Sequence, residues 1–586
     1  MNSFFPVYTT ENECQDCYKC VRHCHCKAIQ IVNARAAVIP DLCVCCGECF
    51  KVCPAHAKKI RSDLRRAKYF LQHGDVVYAS VAPSFVGYFK GIRIEQLAEG
   101  LRRLGFAGAS ETALGAQLVS SESARILRES APGVYLSSAC PAAVDYIGKY
   151  LPRWKESILP VASPVQAHAR FLRKTFGEKI KIVFFGPCAA KKNEADRRPE
   201  ILNLALTFRD LEEWFQETGI SVASLAGIPV VPQAAEEGRF YSLEGGMNDT
   251  MRTPDSDTQY VAVSGLANIA RVLESADREK IARAGGKLFL EVLSCDGGCV
   301  NGPLMPTDGG GVETVMETAL LGVRKTSVHR PVEVDLRLPV EVKAIQEPAK
   351  EEWLIKEAME SVGKFSARDE LNCGGCGYNT CRQFAQAVID GKAETNMCLS
   401  WLRKISQKTS NALIKFIPAS VVLVDKNLQV IECNRHFAQM VGGDTLQVFE
   451  TCGNLTGAYL NQMVEYTDLF DTVLKKGGEI ERFNQVYGNR IYDISVFSIT
   501  DGQTAGAVIQ DVTQTELRRE QVAEKAREVI RKNVLTVQNI ARCLGEHMAE
   551  TEILLNEVAS TYTEHTPLEG LKIHLMDEES QQERKP

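Results

Sequence analysis

The order of apolar and polar residues along the chain predicts several separate folded segments. In the middle of the chain, the apolar runs IKIVFF and LFLEVLS are typical of buried strands, and each leads into a cysteine-bearing turn. Helical spacing of apolar residues appears later, in RQFAQAVIDGKAE. A strand, a turn, a second strand and a short helix are predicted for LIKFIPASVVLVDKNLQVIECNRHFAQMVG. Three strands joined by Gly-Asn and Asp-Gly turns are predicted for ERFNQVYGNRIYDISVFSITDGQTAGAVIQDVTQTE.

The last predicted element is a long helix with one apolar stripe. The residues of this stripe recur at helical spacing, and they are Val522, Val529, Ile530, Val534, Val537, Ile540 and Leu544. A coiled dimer or a partner-docking helix would use such a stripe, and packing against the preceding sheet would use it equally well.

Length and composition describe a modular protein of ordinary charge. A chain of 586 residues exceeds what one core usually organises, so we expect several domains. With 45% hydrophobic residues, 24% charged residues and a net charge of −6, the chain has no basic face for nucleic acid. The start, MNSFFPVYTT, lacks the pattern of a signal peptide, and no window has the roughly 18 apolar residues of a membrane span. We therefore expect a cytoplasmic protein without a membrane span.

The 21 cysteines point to metal or cluster ligation, because thiols in a reducing compartment rarely form structural disulfides. Two runs near the start, CQDCYKCVRHC and CVCCGECFKVCP, share the spacing C-x2-C-x2-C-x3-C. This is the bacterial ferredoxin spacing, in which the fourth cysteine of each run ligates the other 4Fe–4S cluster. One predicted ligand set is Cys14, Cys17, Cys20 and Cys53, and the other is Cys43, Cys46, Cys49 and Cys24.

Zinc is the alternative for these runs, although it usually takes cysteines in separated C-x2-C pairs. Cys26 and Cys45 are additional cysteines, and His25 stands where the ferredoxin pattern has proline. We interpret His25 as a loop residue, with cluster ligation as the alternative.

The two cysteine runs described above are called the first and second ladders, and a third ladder has the spacing C-x2-C-x4-C-x16-C. It consists of Cys373, Cys376, Cys381 and Cys398. Its glycines allow a tight turn around a cluster, and the predicted helix after Cys381 returns the chain to Cys398. The ladder resembles the single 4Fe–4S domain found beside corrinoid proteins and some electron-transport subunits. Zinc remains an alternative here too.

Four further cysteines are far apart in the sequence, and each follows a probable strand. They are Cys140 in SSACP, Cys188 in FFGPCAAKKNEADR, and Cys295 and Cys299 in EVLSCDGGCVNGP. An isolated cysteine is commonly a buried, inert thiol. Connections at strand ends are, however, where α/β folds place their ligands. The four thiolates therefore form a candidate site for one cluster.

These motifs resemble the catalytic domain of the iron-iron (FeFe) hydrogenases. The family signatures TSCCP, MPCxxKxxE and ExMACxxGCxxGG correspond to SSACP, GPCAAKKNE and EVLSCDGGCVNG, and VAPS, ASPVQ and SGLANIARVLE also fit. The resemblance implies an H-cluster, in which a 4Fe–4S cluster is joined to a two-iron subsite with CO and CN ligands. The implied ligands are Cys140, Cys188, Cys295 and Cys299, with Cys299 bridging to the two-iron subsite. It also implies that the positions of Lys191, Pro83 and Ser84 surround the cyanides, with Lys191 and Ser84 as the hydrogen-bond donors.

The chain departs from the family pattern around the expected H-cluster. Ala139 occupies the position of a cysteine that hands protons to the two-iron subsite, and a methyl group has no exchangeable proton. Gly186 and Leu293 replace methionines, and Glu122 is a candidate relay carboxylate without a defined place. These changes predict slow or tuned chemistry.

The order of elements after the third ladder resembles a PAS domain, which is a five-stranded sensor and dimerisation fold. The cysteine motif of flavin-binding PAS domains is absent. We interpret Cys433 and Cys452 as ordinary thiols and His436 as a helix residue. No kinase or phosphatase segment follows.

The predicted fold class is multidomain, with α/β and α+β parts. The predicted segments are a ferredoxin-like two-cluster domain (1–68), an α/β FeFe-hydrogenase domain (69–327), a linker (328–350), a small 4Fe–4S domain (351–404), a PAS domain (409–515) and a C-terminal helical signalling or dimerisation region (516–586).

The leading interpretation is a low-turnover H2 or redox sensor of the PAS-containing sensory branch of the FeFe hydrogenases. It would couple the reaction H2 = 2 H+ + 2 e− to a PAS output through two 4Fe–4S clusters and one further 4Fe–4S cluster. Expected partners are protons, ferredoxin or another redox protein, hydrogenase maturation proteins, a separate kinase or phosphatase, and a second copy of the chain. The alternatives are a ferredoxin-linked hydrogenase that makes or consumes H2, and a non-enzymatic iron–sulfur protein that lacks the two-iron subsite.

Overall fold

The computed structural model describes residues 5–252, 257–283, 285–306, 312–322, 332–346, 348–544 and 557. The chain divides into two compact units, Met1–Leu402 and Arg403–Pro586. Most of the predicted C-terminal region beyond Leu544, and residues 328–331 and 347 of the predicted linker, lie outside the described residues.

The first unit begins with two small antiparallel sheets and two one-turn helices. These elements are β1 (Val7–Thr9), α1 (Lys19–Arg22), β2 (Ile29–Val32), β3 (Arg35–Val38), α2 (Glu48–Lys51) and β4 (Lys58–Ile60). Strand β1 pairs with β4, and β2 pairs with β3. Each one-turn helix carries the third cysteine of one ladder, so the two ladders occupy related positions.

An α/β region follows, with two parallel sheets surrounded by helices. Its first half contains α3 (Leu64–Gln72), β5 (Val77–Val81), α4 (Phe85–Tyr88), α5 (Ile94–Arg103), β6 (Gly108–Glu111), α6 (Ala113–Glu129), β7 (Gly133–Leu136), α7 (Pro141–Tyr150) and α8 (Pro164–Phe176). Its second half contains β8 (Lys181–Phe185), α9 (Ala189–Arg197), β9 (Leu204–Leu206), α10 (Phe208–Glu217), α11 (Gly246–Met251), β10 (Thr258–Ser264), α12 (Leu266–Ser275), α13 (Arg278–Arg283), β11 (Lys287–Leu293) and α14 (Val312–Leu321).

The strand order in the two sheets is β6-β5-β8-β9 and β10-β11-β7. Strands β8 and β11 cover the two apolar runs predicted as buried strands, and both predictions are confirmed. Parallel strands covered by helices are buried on both faces, which explains why these runs are apolar rather than alternating.

The segment predicted as a linker or edge runs along the α/β region as an edge. Leu336 is buried, and its carbonyl accepts from the Ala162 amide at 2.8 Å. The Leu338 amide donates to Pro160 O at 2.9 Å, and the Ile345 amide donates to Lys149 O at 3.0 Å. Helices α15 (Glu352–Glu360) and α16 (Cys381–Ile389) follow, and α16 confirms the predicted helix after Cys381.

Helix α17 (Leu399–Phe416) runs without a break through the predicted boundary at 404–409. The segment contains neither glycine nor proline, so nothing in the sequence ends the helix there.

The second unit contains a five-stranded antiparallel sheet. Its elements after α17 are β12 (Ser420–Asp425), β13 (Val430–Cys433), α18 (Arg435–Val441), α19 (Gly443–Cys452), α20 (Thr467–Lys476), β14 (Glu479–Tyr487), β15 (Arg490–Thr500), β16 (Thr504–Asp511) and α21 (Thr513–Leu544). The sheet order is β13-β12-β16-β15-β14. The fully buried Val422, Phe437, Phe470 and Val496 belong to its core. Helix α21 confirms the predicted long helix. Of the predicted apolar stripe, the side chains of Val537, Ile540 and Leu544 are outside the part of the chain whose side chains the structure describes.

Candidate active site and cluster sites

The parallel sheets bring four distant cysteines to one place. Cys140 follows β7 and is the N-cap of α7, and Cys188 follows β8 and is the N-cap of α9. Cys295 and Cys299 lie in the loop after β11. All four line one cavity, together with Pro187, Leu293, Ser294, Gly298, Gly302, Pro303, Ala142 and Cys46. The carboxyl ends of strands from both sheets therefore build this site.

The chemistry of this donor set fits an iron–sulfur cluster. Burial, followed by the neighbouring cysteines, raises the pKa of Cys299 to about 12 and that of Cys295 well above its usual value. Burial also raises the pKa of Cys188 to about 11. Buried thiols of this kind become thiolates only when a cation binds them. Four convergent thiols without a disulfide thus favour a metal-bound group.

Two glycines allow backbone segments to approach each other closely around the site. A Cβ added to Gly298, where φ is +103°, would lie 2.5 Å from Ser242 O. A Cβ on Gly302 would lie 3.0 Å from both Cys299 O and Pro187 O. Larger residues at these positions would displace the loop that carries Cys299.

Lys191 lies beside the cysteines and is held by two oxygen acceptors. Its Nζ donates to Ser163 Oγ at 2.9 Å and to Glu194 Oε2 at 2.7 Å. The lysine charge acts to lower the pKa of both Cys188 and Cys299, although burial is the larger effect and raises it. The side chain therefore places a fixed positive charge at the edge of the candidate site.

Ser84 offers a second donor without an internal partner. It follows Pro83 after β5, it is fully buried, and within the described part of the chain its Oγ has no hydrogen-bond partner. Burying a hydroxyl without a partner is costly, so such a group indicates a missing ligand. Ser84 can therefore donate to an added acceptor, but it is not among the residues that line the cavity of the four cysteines.

The departures at Ala139 and Gly186 have structural consequences. The Ala139 side chain packs against the apolar cluster that contains Val161 and Leu336. At Gly186, an added Cβ would lie 2.4 Å from Phe184 Cζ, so the Phe184 ring fills the space near this position. Glu122 forms a salt bridge with Arg125 at 2.7 Å.

A larger cavity, of about 780 Å³, lies on the Lys191 side of the site. Its lining includes Ser138, Ser163, Gln166 and Glu194. The Ser138 Oγ is buried and has no partner among the residues the structure describes. A polar cavity of this size has room for many water molecules. Water can therefore reach Glu194 and the segment that precedes Cys140.

Sequence reasoning missed Glu291, a buried acid on β11. Its side chain is 1% exposed, and burial raises its pKa to about 7. The Asn248 amide donates to its Oε2 at 3.1 Å. A single acidic residue inside the apolar run LFLEVL was the available signal, because a buried charge requires special partners.

His168 was also missed, and it fixes α8 to the first parallel sheet. Its Nδ1 lies 2.8 Å from Ser80 Oγ, and its Nε2 lies 2.9 Å from Ser110 Oγ. Complete burial lowers the pKa of His168 to about 3, so the ring is neutral. The network anchors the helix that begins after Ser163, which is a partner of Lys191.

The two N-terminal ladders form two crossed groups. Cys20 interacts electrostatically with Cys14, Cys17 and Cys53. The second group is Cys24, Cys43, Cys46 and Cys49. Cys26 and Cys45 are buried beside these sets, and His25 is exposed, although partial desolvation of its ring lowers its pKa.

The third ladder also converges. Cys373, Cys376, Cys381 and Cys398 line one small cavity with Tyr378 and Phe384. Within the described ranges, no three His, Cys, Asp or Glu side chains are arranged to hold a single metal ion. Four cysteines around one cavity form a donor set that suits either an iron–sulfur cluster or a zinc ion.

Two family comparisons match this architecture. Residues 75–303 match the family described as "Iron only hydrogenase large subunit, C-terminal domain". The middle of this chain is homologous to that domain. Residues 369–400 match the family described as "Putative Fe-S cluster". Iron–sulfur clusters and an H-cluster are therefore the expected cofactors of the hydrogenase-like region and its neighbour.

Curated relatives are hydrogenase subunits at low sequence identity. The NADP-reducing hydrogenase subunit HndD of Solidesulfovibrio fructosivorans is 24% identical over 384 residues, which cover 52% of this chain and 65% of that protein. The periplasmic Fe hydrogenase large subunit of Nitratidesulfovibrio vulgaris is 26% identical over 271 residues, which cover 37% of this chain and 64% of that protein. The matched regions thus span slightly less than two thirds of these relatives.

The solved structures that are similar to this chain include a variant of the FeFe-hydrogenase HydA1 from Chlamydomonas reinhardtii. It is 20% identical, with 46% of this chain and 90% of that chain covered and a TM-score of 0.35. A PAS domain of an HTR-like protein from Haloarcula marismortui is 16% identical, with 18% and 98% covered and a TM-score of 0.14. None of the helices in the described ranges is long and apolar enough to cross a membrane.

Proposed function

We propose that this protein is an FeFe hydrogenase with altered proton delivery that works as a low-turnover sensor of H2 or redox state. The observation that carries the proposal is the convergence of Cys140, Cys188, Cys295 and Cys299 on one cavity, with Lys191 at its edge. The homologous domain over residues 75–303 supports the reaction class.

In this proposal, the four cysteines would hold the H-cluster, and Cys299 would also serve its two-iron subsite. When bound, the cluster supplies the redox chemistry that splits H2 into protons and electrons. Lys191 Nζ and Ser84, with Pro83, would hold the anionic cyanide ligands, because buried anions require a fixed cation and donors. The salt bridge to Glu194 and the bond to Ser163 hold the ammonium group in one place.

Slow proton transfer follows from Ala139. A cysteine at this position would offer an exchangeable proton, whereas the alanine methyl packs in an apolar cluster. The water-accessible cavity that reaches Ser138, Ser163 and Glu194 supports a slower route. The expected result is reversible H2 binding with modest turnover.

Signal output is assigned to the second unit. The sheet order β13-β12-β16-β15-β14 supports a PAS fold, because the first strand, β12, lies between the second strand, β13, and the last strand, β16. We propose that this domain and α21 serve a homodimer or a separate kinase or phosphatase. Ferredoxin or another redox protein, and the hydrogenase maturation proteins, complete the proposed partners. We place these events in the cytoplasm.

Infrared spectroscopy tests the proposal after co-expression with the maturation enzymes. Cyanide and carbonyl bands that shift between H2 and inert gas are expected. Full cluster loading without such bands would refute the hydrogenase assignment and favour a non-enzymatic iron–sulfur protein.

A ferredoxin-linked hydrogenase is the second candidate. The two ladder groups support it, since their spacing and their mutual proximity fit the ligand sets of a two-cluster ferredoxin domain. The rate of H2 turnover with reduced ferredoxin distinguishes the two candidates. A sensor should turn over slowly, whereas a producer should turn over as fast as highly active hydrogenases.

A further inference from the structure

The small domain of the third ladder is joined to the N-terminal two-cluster domain by two basic side chains. Lys27 Nζ donates to Gly377 O at 2.6 Å. Arg22 donates to Gly375 O at 3.4 Å and to Cys17 O at 3.0 Å. The two acceptors on the third ladder lie on either side of Cys376. The two basic residues thus bridge the first ladder and the loop of the third.

The backbones of the two domains also approach each other closely. Gly377 has a φ of +94°, and a Cβ there would lie 2.8 Å from Val21 Cγ1. The Ile31 amide on β2 donates to Lys392 O at 2.9 Å. The contact therefore requires glycine at the loop and is extended by a main-chain hydrogen bond.

A shared apolar core lies beneath these bonds. It combines residues of both domains, and the buried ones are Cys20, Val21, Ile29, Ile31, Ala36, Val362, Tyr378, Phe384, Ala387, Ala393, Met397 and Cys398. Among the described residues, this core contains none from the hydrogenase-like region 75–303. The third ladder is thus packed on the two-cluster domain by apolar burial as well as hydrogen bonds.

The hydrogenase-like site meets the two-cluster domain through the other ladder. Cys46 lines the cavity of Cys140 and Cys188. A Cβ on the adjacent Gly47 would lie 2.5 Å from Pro303 Cγ, so the two segments are in close contact. The two-cluster domain therefore touches the catalytic cavity through its second ladder and the third ladder through α1.

We propose that Lys27 and Arg22 hold the third cluster against the two-cluster domain, so that electrons from the H2 site reach it through that domain in series. This inference rests on the proposed function. Oxidation of one H2 releases two protons and two electrons, and each 4Fe–4S cluster on the route accepts and passes one electron at a time. Lys27 and Arg22 are positioning residues, since they contact the loop of the third cluster rather than the reacting atoms.

The test uses the full, cluster-loaded protein with the variant Lys27→Met and the control Lys51→Met. Methionine keeps an apolar stem and removes the donor, and the exposed Lys51 lies on α2, which corresponds to α1 in the other ladder. The first readout is hydrogen–deuterium exchange of residues 371–379. The second readout is the electron paramagnetic resonance signal of the third cluster, which is assigned as the signal lost in the variant Cys373→Ser. This signal is recorded after exposure to H2 and, separately, after addition of a chemical reductant.

We expect Lys27→Met to raise exchange in residues 371–379 by about tenfold, equivalent to about 1.4 kcal/mol, while Lys51→Met matches the parent. Reduction of the third cluster by H2 should be slower by a similar factor, with its reduction by the chemical reagent unchanged. Parent-like exchange and parent-like reduction by H2 in Lys27→Met would overturn the inference, as would a third ladder without iron. If H2 reduced no cluster in the parent protein, the proposed function would fail. The exchange result would still decide whether Lys27 holds the loop of the third ladder against the two-cluster domain.

Discussion

Replacing Glu291 by glutamine should remove a pH dependence from the stability of the hydrogenase-like region. The carboxyl is almost fully buried on β11, and this burial raises its pKa from 4.5 to about 7. Nearby Glu244 and Asp249 raise it further, while the Asn248 and Met247 amides act in the opposite direction. The folded protein therefore binds this proton more tightly than the unfolded chain does.

The sign and size of the effect follow from proton linkage. Between pH 4.5 and about 7 the folded state keeps the proton that the unfolded state has lost, so stability falls as pH rises through this window. The loss approaches about 3 kcal/mol, at about 1.4 kcal/mol for each pKa unit. Glutamine carries no titratable proton, so the Glu291→Gln variant should gain stability relative to the parent as pH rises from 5 to 8.

Urea unfolding of the cluster-loaded protein under anaerobic conditions measures this difference at each pH. Glu122→Gln is the control, since it makes the same substitution at a carboxylate that forms a salt bridge with Arg125. An infrared difference spectrum should also show a protonated carboxyl that is present in the parent near pH 6 and absent from Glu291→Gln. Equal pH slopes in parent and Glu291→Gln, or no such carboxyl signal, would refute the reasoning.

Three further predictions concern the proton route, the site cation and the second unit. Ala139→Cys should raise H2 turnover, by about 10²–10⁴-fold if the thiol restores general acid–base transfer, and unchanged turnover in a loaded enzyme would contradict this role. Lys191→Met leaves the Glu194 carboxylate without its partner, so we expect a loss of about 3 kcal/mol in unfolding experiments and shifted or absent cyanide bands. Parent-like bands in that variant would exclude Lys191 as a cyanide donor. Phe470→Ala empties a fully buried position and should cost the second unit about 3–5 kcal/mol, measured by its own unfolding transition, with the infrared bands unchanged.

Local spacing in the sequence was sufficient to propose the ladder sites. Three cysteines within one short turn, as in CQDCYKC, can reach the same cluster whatever surrounds them. The apolar runs that became β8 and β11 were equally readable, because strands buried on both faces are continuously apolar. The continuity of α17 through 404–409 follows from the absence of glycine and proline in that segment, while the predicted domain boundary there stays a prediction.

The sequence by itself determined which residues have the chemistry of ligands, and where strands, turns and helices form around them. Only the tertiary structure decided which of these residues meet. Cys140 and Cys299 converge because β7 and β11 are neighbours in one sheet. The packing around Glu291 buries its carboxyl and raises its pKa. Lys27 donates a hydrogen bond to Gly377 O, although the two residues are 350 positions apart in the sequence. Contacts of this kind depend on the summed packing of many apolar side chains, which short-range spacing does not encode.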